Sequence, residues 1–144
     1  FFPYYNEHKE DTTKPYEGMP ALLESLRTAG VKLGVVSNKE DHLTRQVIER
    51  YFPGVFHEVR GHVLGTPTKP DPHLVNEMRK AFSLMPEQVL YVGDSNVDMF
   101  TANNAGLDGC GVLWGFRTAA ELQQAGAKYL VHTPVELEKL IFEK

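Results

Sequence analysis

Val-Leu-Tyr-Val-Gly-Asp-Ser-Asn-Val-Asp, residues 89–98, decides how the rest of the chain is read. It opens on an apolar run with β-branched and aromatic side chains, and the run ends abruptly at Gly93. Such a run, bounded by glycine, predicts a buried parallel strand. The segment from Asn96 to Ala105 reads as a helix. Asp94 therefore falls at the carboxyl end of a strand, where open α/β sheets place their ligands. Asp98 lies about one helical turn further on, which lets both carboxylates face one spot. Two converging carboxylates suit a hard cation such as Mg²⁺, which takes oxygen ligands. The competing reading makes Asp94 the N-cap of the helix, a favoured place for aspartate.

Working outward, apolar and polar residues alternate between the two periods. Gly18 to Ala29 carries Leu22, Leu23 and Leu26 on one face, with Gly30 as the stop, and predicts an amphipathic helix. Lys32 to Ser37 predicts a strand, Asn38 a polar turn, and Glu40 to Tyr51 a helix. Val55 to Val59 predicts a short strand before a Gly- and Pro-rich loop over 61–72. Helices are expected over 73–82, 96–105, 118–124 and 134–142, and strands over 89–92, 108–114 and 129–132. Alternation of this kind predicts an α/β, Rossmann-like parallel sheet with helices on both faces.

The whole composition narrows the function. At 144 residues with 42% hydrophobic content, the chain can bury one domain's core. A formal net charge of −4 offers no basic stripe for nucleic acid. The single Cys110 excludes a disulfide framework and a cysteine zinc site. No stretch is long and apolar enough for a membrane helix. The expectation is a soluble, cytoplasmic protein without nucleic-acid or membrane partners. The aromatic start, Phe-Phe-Pro-Tyr-Tyr, has nothing local to bury it and suggests a sequence beginning inside something larger. Residues 1–14, polar and non-periodic towards their end, read as a connector.

Two further polar positions fall at or near strand ends. Ser37 and Asn38 close the first strand ahead of a helix, where backbone N–H groups favour anions; an ordinary N-cap is the alternative. Lys69 sits in Thr-Pro-Thr-Lys-Pro-Asp-Pro, where three prolines in six residues stiffen its loop. A hydroxyl, a lysine and two metal-binding carboxylates at one sheet edge could orient and neutralise a phosphoryl group. The set contains no nucleophile. Cys110, Trp114, Arg117 and the scattered histidines read as core or surface residues.

In order, Val-Val-Ser-Asn-Lys (35–39), Lys-Pro-Asp-Pro (69–72) and Val-Gly-Asp-Ser-Asn-Val-Asp (92–98) resemble motifs two, three and four of the haloacid dehalogenase superfamily. Within it the chain is most similar to phosphoglycolate phosphatase-like hydrolases, through Pro15 to Gly18, Ala102 to Leu107, and Trp114 to Arg117 as well. The resemblance implies an Mg²⁺-dependent phosphomonoester hydrolase acting through an aspartyl-phosphate on a small-molecule phosphate ester such as 2-phosphoglycolate. Ser37 and Asn38 would bind phosphate, Lys69 would hold phosphate and nucleophile in register, and Asp94 and Asp98 would hold the metal.

The family's nucleophile lies in an Asp-x-Asp-x-Thr motif on an N-terminal strand, and that motif does not occur in this sequence. The resemblance accordingly implies that 1–14 is the remnant of a helical cap and linker, that 15–144 is a partial core, and that the chain is inactive alone. A mutase or pyrophosphatase of the same superfamily, or a non-catalytic relative, would share these motifs. A signalling receiver domain combines the same groups in the opposite order.

Overall fold

The computed structural model describes residues 17–115 and 117–143. The segment 1–14 lies outside the described residues, as does Phe116. Helix α1 (Met19–Thr28) leads to strand β1 (Gly34–Glu40), α2 (Asp41–Tyr51), β2 (Glu58–His62) and α3 (His73–Ala81). There follow β3 (Leu90–Gly93), α4 (Asn96–Asn104), β4 (Asp108–Val112), α5 (Ala119–Gln124), β5 (Tyr129–Val131) and α6 (Pro134–Glu143). Among the described residues no helix is long and apolar enough to cross a membrane.

Every strand pair is parallel, as the alternation of strands and helices predicts. The sheet comes in two sections, one pairing β1 with β2 and the other ordered β3-β4-β5. Side chains of adjacent strand residues point to opposite faces, and the core divides accordingly. Val35 and Val92 join Met19, Leu22, Leu23 and Leu26 of α1 and Leu137 of α6 on one face. Val36 and Tyr91 join Leu74, Val75 and Met78 of α3 and Ala102 of α4 on the other. The four apolar residues of α1 are almost wholly buried, each contributing roughly 1.5–3 kcal/mol against exposure. α1 ends as expected from Gly30, which takes φ +83° and lets Val31 N–H reach back to Leu26 O.

Glycines inside β4 serve packing. A Cβ at Gly111 would meet Leu122 and Leu130 at 2.9 Å, and one at Gly109 would crowd Ala102 and Met99. Their absence lets α4 and α5 sit close on that face.

Three strands differ in their bounds from the sequence reading by more than a residue, and β4 ends at Val112 instead of 114, where a turn begins. The second strand is Glu58–His62, not 55–59. Val55 and Phe56 are apolar because they pack against the α1 side of the core from the connection. β2 lies at the outside of its section, and an outer strand can carry polar residues such as Arg60 and His62. The first strand runs on to Glu40 instead of turning at Asn38, with its register to β2 shifting between Val36 and Glu40. That irregularity turns the chain outward just beyond Ser37.

Among the described residues, neither β1 nor β3 has a second strand partner. A cleft of about 420 Å³ is lined by Gly34 and Val36 of β1, Tyr91 and Val92 of β3, Met78 of α3 and Phe82 just after it, with Lys32, Arg79 and Glu87 also on its wall.

Candidate functional site

β1 delivers Ser37 as its last buried residue, 5% exposed. Its Oγ accepts the Lys39 N–H at 3.1 Å. Ser37 is not the cap of the following helix: Glu40 is, accepting the His42 N–H at 2.9 Å.

The Asp94 loop resolves the same way. The N-cap of α4 is Ser95, whose Oγ accepts the Asp98 N–H at 3.2 Å. Asp94 thus stands half-buried at the end of β3 without a capping duty. Gly115, after β4, packs directly on it; a Cβ there would lie 2.8 Å from Asp94 Oδ2.

Asp98 is the hub. It is 3% exposed, and its Oδ1 accepts Lys69 Nζ at 2.7 Å and, more weakly, the Tyr91 hydroxyl at 3.5 Å. Its Oδ2 accepts the Ser95 hydroxyl at 3.0 Å and the Asp94 N–H at 3.2 Å. Gly93 makes this possible, because a Cβ there would fall 2.5 Å from Asp98 Oδ2. Burial, followed by the charge of Asp98 and the hydrogen bond to it, pushes the Tyr91 phenol well above its ordinary value. It stays neutral and donates.

The Lys69 loop is held from both sides. Asn38 accepts the Lys69 N–H at 2.7 Å and donates to Lys69 O at 3.3 Å. Asn104 of α4 donates to Pro70 O at 2.9 Å. A turn closes through Asp71 N–H to Thr68 O at 2.9 Å. The lysine ammonium reaches Asp98 with its side chain only 9% exposed.

Of the residues expected from sequence, Asn38, Lys69 and Asp98 are joined side chain to loop to side chain, and Asp94 through its main chain. Ser37 adjoins them at the end of β1. Ser95, Tyr91, Asn96 and Asn104 went unremarked in the sequence reading. Ser95 had a legible signal, since serine three residues before an aspartate at a helix start is N-cap spacing. Tyr91 and Asn104 had none, because their partners come from the fold.

A hard cation makes definite demands of this donor set. Among the described residues no three of His, Cys, Asp or Glu cluster. Asp98 gives both oxygens to four donors, and Asp94 stands half-buried at the end of β3. Asn96 Oδ1, two residues on, is buried and accepts no hydrogen bond. Mg²⁺ keeps several waters and takes one or two carboxylates together with substrate phosphates, a demand that Asp94 with a neighbouring oxygen meets in kind.

His57 Nδ1 accepts the Leu33 N–H at 3.0 Å. Burial pushes the Cys110 thiol up to about 12, which makes it an inert core residue.

Known proteins share this arrangement of elements. Residues 1–112 match the family model for haloacid dehalogenase-like hydrolases. A phosphoglycolate phosphatase of Aquifex aeolicus is 31% identical over 98% of this chain and 65% of its own length. An N-acetylmuramic acid 6-phosphate phosphatase of Pseudomonas aeruginosa is 29% identical over 95% of this chain and 62% of its own. A solved protein of Lactobacillus delbrueckii subsp. bulgaricus, provisionally named a phosphoglycolate phosphatase, superposes with a TM-score of 0.86 at 39% identity. That match covers 90% of this chain and 54% of the other. The chain thus spans under two thirds of the length of these relatives.

Proposed function

The chain belongs to the haloacid dehalogenase-like hydrolase family, and we propose that it supplies most of the core of an Mg²⁺-dependent phosphomonoester hydrolase for small organic phosphates. The carrying observation is the convergence of Lys69, Asp98 and Asp94 at one sheet edge beside Ser37, with the cap explanations of Ser37 and Asp94 excluded by Glu40 and Ser95.

Each group has a part. The Ser37 hydroxyl donates to a phosphoryl oxygen. Lys69, its ammonium fixed on Asp98, offers its remaining protons to the phosphate and offsets its charge. Asp94 would hold Mg²⁺, and the buried Asn96 Oδ1, which accepts no hydrogen bond, is a further candidate oxygen. When bound, the ion neutralises charge on the transferring group. Asp98 acts behind them, orienting Lys69 and the Asp94 main chain. The attacking carboxylate and the aspartyl-phosphate it forms belong to an Asp-x-Asp-x-Thr strand outside residues 1–144.

The cleft between β1 and β3 supports that last statement. Both bordering strands are parallel within their sections, both present an open edge among the described residues, and the cleft wall they share is largely apolar, with Lys32, Arg79, Glu87 and Gln88 also on it. An inserted parallel strand would pair on both sides and end level with Ser37 and Asp94. On this reading residues 15–144 are a partial core, 1–14 the end of a cap and linker, and the chain alone is inactive. The names of its relatives favour 2-phosphoglycolate as substrate, and a cytoplasmic location accords with it.

The test is turnover of p-nitrophenyl phosphate with Mg²⁺. The purified chain should show none. Fused to the N-terminal part of a relative, it should turn over, and Lys69→Met and Asp94→Asn should each abolish that. Turnover by the chain alone would refute its inactivity; a folded but inert fusion would refute the phosphatase reading.

A further inference from the structure

We infer that Asn38 is a positioning residue for Lys69. The inference rests on the phosphatase reading only for the use to which Lys69 is put. Both functional ends of the Asn38 carboxamide are engaged on one residue, 31 positions away: Oδ1 on the Lys69 N–H at 2.7 Å and Nδ2 on Lys69 O at 3.3 Å. A main-chain N–H can only donate and a carbonyl only accept, so the two bonds also fix which end of the amide is which. Oδ1 and one Nδ2 hydrogen are thus committed to the loop.

The consequence runs across the site. Lys69 sits on a loop anchored to β1 by Asn38 and to α4 by Asn104 on Pro70 O. Its side chain then crosses to Asp98. Asn38 belongs to the β1-β2 section, whereas Asp98 and Asn104 follow β3 of the other section. The loop is therefore a strap between the sections, and the lysine lies in the middle of it. A long lysine side chain loses much rotamer freedom when fixed; clamping its backbone on one side and its ammonium on the other places the charge before any phosphate arrives. Aspartate at position 38 would keep the acceptor for the Lys69 N–H, while alanine would lose both bonds.

The experiment is NMR on the ¹⁵N-labelled chain of 144 residues. In the wild type, the Lys69 ammonium should give a resolved Nζ signal and the Lys69 amide should exchange slowly. In Asn38→Ala the ammonium signal should vanish and amide exchange should rise roughly tenfold, the size of one lost hydrogen bond. Asn38→Asp should restore the amide protection, and Asn104→Ala should retain it. The exposed position of Asn38 makes a folded Asn38→Ala protein the expectation; should it unfold, the wild-type Lys69 amide still decides, since unprotected exchange there overturns the inference. Unchanged Lys69 signals in Asn38→Ala overturn it as well. A parallel titration with inorganic phosphate separates the two readings. Absence of any shift at Ser37 or Lys69 counts against the phosphate site, whereas the Asn38 result stands on Lys69 alone.

Discussion

Lys69 Nζ lies 2.7 Å from Asp98 Oδ1, and the two side chains are 9% and 4% exposed. The pair spans from the loop after β2 to the helix after β3. Taking two charges out of water costs several kcal/mol per ion, and attraction offsets this only where further hydrogen bonds complete the geometry. Asp98 has those bonds, from Ser95, Tyr91 and the Asp94 main chain. The pair is therefore a device for holding a lysine in place, with little net stability of its own.

Asp98→Ala leaves the Lys69 ammonium buried without its carboxylate and should destabilise the chain by about 3–5 kcal/mol. Adding Lys69→Met to that background removes the stranded charge and should recover a good part of the loss. Urea unfolding of the two single variants and the double variant measures the coupling. Strictly additive losses would contradict a direct charge pair.

Gly93→Ala should cost about 1–3 kcal/mol, the range for overfilling a packed interior. The cause is local: the new methyl occupies the space of the Asp98 carboxylate. Thermal unfolding gives the stability, and NMR of the Lys69 ammonium reports whether Asp98 has been displaced. A Gly93→Ala protein with wild-type stability would mean that Asp98 does not approach this closely.

Asp41 gives a pH-dependent contribution. Its hydrogen bond from Arg45 holds its carboxyl below the ordinary value, despite some desolvation, with the Gly61 N–H and nearby charges adding to the lowering. A folded-state value below the unfolded one means that the unfolded chain binds more protons. The stabilisation is thus present above the unfolded value of about 3.9 and lost as pH falls through the folded value. Against wild type, Asp41→Asn should lose up to about 1 kcal/mol at pH 7. The difference should shrink towards nothing as pH falls below the folded-state value. A difference independent of pH would assign the effect to the helix start and not to the charge.

Much of the architecture was legible because it depends on local pattern. Val89 to Gly93 had to be a buried strand, and the alternation around it had to give parallel pairing. Ser95 and Asp98 were readable as cap and first-turn residue by spacing alone. The shift of β2 was not, since Val55 and Phe56 are apolar for packing from a connection, a reason invisible without the helix they meet. Glu40, three residues beyond Ser37, took the cap because β1 ran further than its apolar residues suggested.

By itself the sequence determined the order of elements, the parallel α/β class and the residue types of the candidate site, because periodicity and residue chemistry are properties of neighbours along the chain. Only the tertiary structure decided what those residues do to one another. It gave Asp98 to Lys69, gave the cap of α4 to Ser95 instead of Asp94, and turned Asn38 onto the backbone of a loop 31 residues away. It also showed the sheet in two sections, with a cleft bordered by β1 and β3 and, among the described residues, no further strand paired to either. Such outcomes depend on which strand ends meet across the sheet and on the hydrogen bonds that burial obliges each polar group to find, and no spacing along the chain specifies either.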